Sequence, residues 1–146
     1  MSTETEAGEE ATDRFWQAAL SELDMEGGQL LRKSQYDRGR RTYLKSGRVY
    51  KIVCNRIEQS QTARAKSLEE EFSVLRKLQG VDGVPRNPRY CCKSSAQCLS
   101  YDYMEGHNLS EAELTFAQKL FVLARLAAIV TRLSMRGVVH NDLPDT

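Results

Sequence analysis

The stretch VVHNDLPDT, residues 138–146, puts His140 two residues before Asp142, directly after two β-branched residues. A strand-like lead fixes the backbone and the turn beyond it exposes the carboxylate, which suits Asp142 to general-base or metal-holding work. His140 fits a structural role there, hydrogen-bonding to hold the loop. Lys51 in RVYKIV sits mid-strand between Tyr50 and Ile52, where a lysine is ordinarily a charge on a β surface. Glu69, Glu70 and Glu71 in EEEFSVLRKL read as a solvated acidic face. The run CCKSSAQC, residues 91–98, lacks a CxxC pair, and adjacent Cys91 and Cys92 on a strand point to opposite faces. These cysteines and Cys54 read as ordinary free strand thiols rather than as metal ligands, and no metal site is assigned.

The elements that must position these residues follow from periodicity. MSTETEAGEE, residues 1–10, is acidic and nearly free of apolar side chains, which predicts a disordered tail. Residues 11–28 predict an amphipathic helix with Phe15, Trp16, Ala19, Leu20 and Leu23 on one stripe, ended by Gly27-Gly28. QLLRK, RTYLK and RVYKIVC then read as antiparallel strands, with Lys45-Ser46-Gly47 a tight turn between the last two. A helix is expected over 62–79, burying Leu68, Phe72, Leu75 and Leu78 and stopping at Gly80. RYCCKS and QCLSYDYM form another strand pair. Ser110 and Glu113 match a capping box opening a long helix over 113–136, whose stripe runs Phe116, Leu120, Leu123, Ala127, Val130, Leu133 to a stop at Gly137.

A chain of 146 residues with 40% hydrophobic content has room for one modest core. Its longest uncharged apolar run, Leu126 to Val130, is far short of the roughly 20 residues that span a bilayer. With an acidic rather than basic-apolar N-terminus, a cytoplasmic protein is expected. The net charge of +1 hides a polarised chain, because residues 29–90 carry fifteen Lys/Arg against six Asp/Glu. A basic middle of this kind suits a polyanion or the phosphates of a nucleotide. RNA is disfavoured because aromatic side chains are not interleaved with the basic residues as stacking platforms.

In this order, the elements from Gln29 to Thr146 resemble the protein kinase-like superfamily. The resemblance implies an α+β fold: a kinase-like N-lobe over 29–104, made of a five-stranded antiparallel sheet with one helix across it. The hinge exit, a long helix and the start of a catalytic loop would follow over 105–146, as an incomplete C-lobe. ATP and Mg²⁺ are the implied cofactors, and a protein or small-molecule hydroxyl the acceptor. Lys51 looks like the strand lysine that neutralises the α- and β-phosphates, and Glu71 like its helix partner, with Glu70 a one-residue alternative. Tyr101 falls at the gatekeeper position, Asp102 to Met104 at the adenine-binding backbone and Asn108 at a ribose contact. Asp142 resembles the catalytic aspartate and His140 the structural histidine of the catalytic loop.

Three departures place the resemblance among atypical members such as RIO kinases, lipopolysaccharide kinases and aminoglycoside phosphotransferases. Asn141 replaces the usual arginine, Pro144 stands where a lysine is common, and no G-x-G-x-x-G precedes Lys51. The corresponding RKSQYDRGR has one glycine, Gly39, and four basic residues, Arg32, Lys33, Arg38 and Arg40. Those side chains either replace backbone amides around phosphate or leave nucleotide binding weak. The family's metal-binding Asn would fall at position 147, so the resemblance implies an N-terminal portion that is catalytically inactive by itself. The alternative is a kinase-like binding or regulatory module without catalysis. The apolar stripe of the 113–136 helix, which a kinase C-lobe would cover, is expected to drive self-association.

Overall fold

The computed structural model describes residues 3–34, 38–57, 67–106 and 112–138. Helix α1 (Thr3–Glu22) is followed by β1 (Gln29–Lys33), β2 (Arg40–Lys45), β3 (Arg48–Cys54), α2 (Leu68–Lys77), β4 (Arg89–Cys92), β5 (Ala96–Asp102) and α3 (Phe116–Met135). The two residues between β2 and β3, Ser46 and Gly47, both have positive φ, 50° and 71°. Such a turn matches the twist of the strands it joins and sets their register, Lys45 opposite Arg48 and Thr42 opposite Lys51. The five strands form one antiparallel sheet in the order β1-β2-β3-β5-β4, as expected.

Both faces of the sheet are covered, which is why β3 and β5 read as apolar on alternating and adjacent positions alike. On one face Trp16 and Ala19 of α1 pack with Met25, Tyr43, Ile52, Cys54, Ala96 and Cys98. On the other, Leu68, Leu75 and Leu78 from α2 and the residue after it pack with Val53, Leu99, Val81 and Val84. Edge strand β1 is exposed along its whole length and carries Arg32 and Lys33, charges that discourage further strand pairing.

Helix α1 departs from expectation at both ends. It begins at Thr3, so residues from 3 onward are helical rather than a disordered tail; Glu and Ala are good helix formers, and acids near an N-terminus favour the helix dipole. It also ends before Gly27-Gly28. Asp24 takes the left-handed conformation (φ 53°), with Met25 N–H bonded to the Leu20 carbonyl at 2.8 Å and Asp24 N–H to that of Ser21 at 3.1 Å. This is a Schellman ending with Asp in the usual glycine place. Several polar ties hold α1 to the sheet. The Arg41 guanidinium stacks 4.4 Å from the Trp16 ring centre, the indole N–H donates to the Arg38 carbonyl at 3.2 Å, and the Glu22 carboxylate accepts from the β4–β5 turn. That carboxylate takes the N–H of Ser95 at 2.9 Å, the Ser94 hydroxyl at 2.8 Å and the Ser95 hydroxyl.

Helix α2 starts at Leu68 under a reciprocal capping box between Ser67 and Glu70; the expected residues 62–66 lie outside the described ones. Helix α3 starts at Phe116 rather than 113. Thr115 and Gln118 make its capping box, and Glu113 is not helical, because the Thr-x-x-Gln pair lies directly against the apolar run. Ser110 is outside the described residues. Only the last turns of α3 are docked. Leu133 and Val138 join the α2 core, Arg136 donates to the carbonyls of Lys77 (2.8 Å) and Gln79 (3.2 Å), and Ile129 lies against Gly83, whose φ is 81°. Of its expected stripe, Phe116, Leu120, Leu123 and Val130 are exposed, Phe116 by 77%. Among the described residues no helix is long and apolar enough to cross a membrane.

Two outcomes follow for α1. Trp16→Ala empties a fully buried site and is expected to cost about 3–5 kcal/mol in urea unfolding; a loss under about 1 kcal/mol would show that α1 is not part of the core. The serine donors hold the Glu22 carboxyl down at about 2, from an ordinary 4.5. Its folded pKa is depressed, so its contribution is present above about 4.5 and is lost as the pH falls through about 2. Glu22→Gln should therefore lower the urea midpoint at neutral pH, with the gap to the parent narrowing across that acid range. A gap independent of pH would contradict the arrangement.

Candidate functional site

Alternation along β3 sends Val49, Lys51 and Val53 to the α2 face and Tyr50, Ile52 and Cys54 to the α1 face. Lys51 is therefore the one charge that β3 turns toward α2 in its interior. Cross-strand register puts Thr42 on one side of it and Leu99 on the other, and Arg32 beyond Thr42. Residues opposite one another share a face, so Arg32, Thr42, Lys51 and Leu99 make one row across four strands.

The start of α2 selects which carboxylate Lys51 meets. Glu70 is turned back onto the N-cap, its side chain accepting the Ser67 N–H at 3.1 Å. Glu71, about 100° further round the helix, faces the sheet, and its carboxylate accepts from the Lys51 ammonium. The one-residue alternative at Glu70 is thereby removed. The ammonium also lies 5.9 Å from the centre of the Tyr101 ring. Burial pushes the Tyr101 hydroxyl above its ordinary value; the Lys51 charge opposes the rise and the Glu71 charge adds to it.

A cavity of about 190 Å³ opens on this pair, lined by Arg32, Ser34, Arg40, Lys51, Leu68 and Glu71 among others. Its charged walls are mostly cationic, and the single carboxylate is already bonded to Lys51. Side chains of this kind bind oxygen anions; none of them is placed as a base. A wider recess of about 390 Å³ lies between α1 and the β1–β2 hairpin, bordered by Asp13, Lys33, Arg38 and Arg41 among others. There the Arg41 guanidinium is taken up by Trp16 and by Asp13 at 3.6 Å.

At the end of β5 the chain leaves the sheet through Asp102, Tyr103 and Met104. Asp102 has a committed side chain. Its carboxylate accepts from Arg48 at 2.6 Å and from the Asn87 amide, while Arg48 also donates to the Asn87 carbonyl at 2.7 Å. The Asp102 N–H goes to the Arg86 carbonyl at 3.0 Å and that of Tyr103 to Gly47 at 2.9 Å. These bonds fix where the exit segment starts, and Met104 is exposed beyond it. Sequence reading did not find this anchor, since Arg48 and Asp102 meet only through the β3–β5 register. The structure thus brings Lys51, Glu71 and Tyr101 together and sets Asp102 and Met104 at the sheet's end. Asn108, His140 and Asp142 lie outside the described residues.

Among the described residues no three His, Cys, Asp or Glu side chains are grouped so as to hold a metal. Cys91 and Cys98 are cross-strand neighbours, and burial first, then the neighbouring Cys91, pushes the Cys98 thiol up to about 12. The chain matches no protein-family model and no curated protein, and what the site does rests on its own geometry.

Proposed function

We propose that the chain is the nucleotide-binding, N-terminal portion of an ATP-dependent phosphotransferase of the protein kinase-like kind, acting on a protein or small-molecule hydroxyl. The observation that carries this reading is the Lys51–Glu71 ion pair, made between the centre of a β1-β2-β3-β5-β4 sheet and the first turn of the helix across it. An ion pair whose side chains are 37% and 31% exposed contributes little to stability, typically about 0–1 kcal/mol. A ligand explains its position better than the fold does. In this reading the Lys51 ammonium takes the charge of the α- and β-phosphates, and Glu71 keeps it from swinging into solvent. Backbone groups of Asp102 to Met104 take the adenine edge and Asn108 the ribose. His140 holds the catalytic loop, and Asp142 orients the acceptor hydroxyl and receives its proton. A divalent cation supplies charge neutralisation between phosphates in such transfers; the described residues include no group fitted to hold one.

The reading is tested by calorimetric titration of the chain with ATP and magnesium. Loss of one charge-assisted contact corresponds to about 1.5–3 kcal/mol, so Lys51→Ala should weaken binding by about tenfold or more. Glu71→Gln should weaken it less, and both variants should unfold within about 1 kcal/mol of the parent. A folded parent that does not bind ATP, or a Lys51→Ala variant that binds as well as the parent, would overturn it.

A further inference from the structure

We infer that Arg32 and Arg40, reaching from the β1–β2 hairpin into the Lys51 cavity, form a side-chain clamp for the phosphate chain of a nucleoside triphosphate. The inference rests on the nucleotide reading above and adds to it what replaces a glycine-rich loop. A backbone cradle needs amides turned toward the ligand and glycines that let the ligand approach. Here the base of the hairpin is closed on itself: Ser34 N–H donates to the Arg40 carbonyl at 3.2 Å, and Cys54 N–H to the Gly39 carbonyl at 2.9 Å. Gly39, the one glycine of the connection, is buried and engaged in that pairing.

What the hairpin presents to the cavity instead is guanidinium. Arg32 stands opposite Thr42, which stands opposite Lys51; Arg40 stands opposite Val53, whose side chain is in the α2 core. Both arginines therefore share the face of Lys51, and both line the same cavity, Arg40 bordering the outer recess as well. A guanidinium presents a planar fork that grips two phosphate oxygens at once, which an ammonium cannot do. Lys33, one residue along from Arg32 and opposite Arg41, points to the other face and borders only the outer recess, as does Arg38.

A clamp of this kind reads charge and phosphate number rather than the base. It takes GTP and inorganic tripolyphosphate as well as ATP, leaves adenosine unbound, and weakens steeply with salt. The experiment titrates the full chain with ATP, GTP, tripolyphosphate and adenosine at low and at physiological ionic strength. It is repeated for Arg32→Gln with Arg40→Gln, for each single change, and for Lys33→Gln with Arg38→Gln. The expected result is binding of all three polyphosphates, ATP the tightest, each reduced about tenfold or more by the cavity pair and less than about threefold by the outer pair. ATP binding that survives the cavity pair, or falls equally with the outer pair, overturns the clamp and leaves the nucleotide reading standing. Tripolyphosphate binding that needs Arg32 and Arg40 without any ATP binding keeps the clamp as a polyanion site and removes the nucleotide reading. Should the double variant unfold, the two single variants, read against Arg32→Lys and Arg40→Lys, decide the same point.

Discussion

The structure depends on β3 being the middle strand of a sheet that is covered on both sides. A strand in that position has to be apolar on both faces, and β3 nearly is, with Val49, Ile52, Val53 and Cys54 all buried. Lys51 is the exception. Its ammonium, on a side chain 37% exposed, is met by a carboxylate rather than by apolar packing. The answer built into the chain is local: a helix whose first turn carries three consecutive acids, of which one is spent on the cap and the next faces the sheet.

Local pattern made most of the elements legible. The period-two strands, the Ser46-Gly47 turn and the α2 stripe all appear where the residues imply, because each is determined by neighbours within one turn or one hairpin. Helix ends were less legible. At α1 and α3 two plausible signals compete, and the reciprocal pair nearest the apolar run, or a left-handed Asp24 with a buried Met25 behind it, prevails over the more conspicuous glycines or S-x-x-E. The end of α3 did read correctly, since Gly137 at φ 71° closes it with Val138 N–H on the Leu133 carbonyl.

Contacts made across the sheet were beyond reach of the sequence. Glu22 and Ser95, or Arg48 and Asp102, are joined only after five strands have taken their register. The site divides along the same line. Lys51 and Glu71 were nominated by resemblance to a family, with Glu70 left as an alternative, and only the Ser67 cap shows why Glu71 is the one that meets Lys51. Arg32 and Arg40 stood out by charge alone, and only register separates Arg32 from Lys33.

That separation has an electrostatic consequence. Two like charges about 8 Å apart repel by about 2 kcal/mol at an effective dielectric constant near 20. The cavity at the Lys51–Glu71 pair is lined by Arg32, Arg40, Arg41 and Lys51, so like charges meet there around the carboxylate of Glu71. Glu71 holds Lys51, and Asp13 holds Arg41. On the α1 face Arg41 is stacked on Trp16 and paired with Asp13, in a recess that Lys33, Arg38 and Arg40 also border. The hairpin thus presents cations on both of its faces, and those on the α2 face lie beside the Lys51–Glu71 pair.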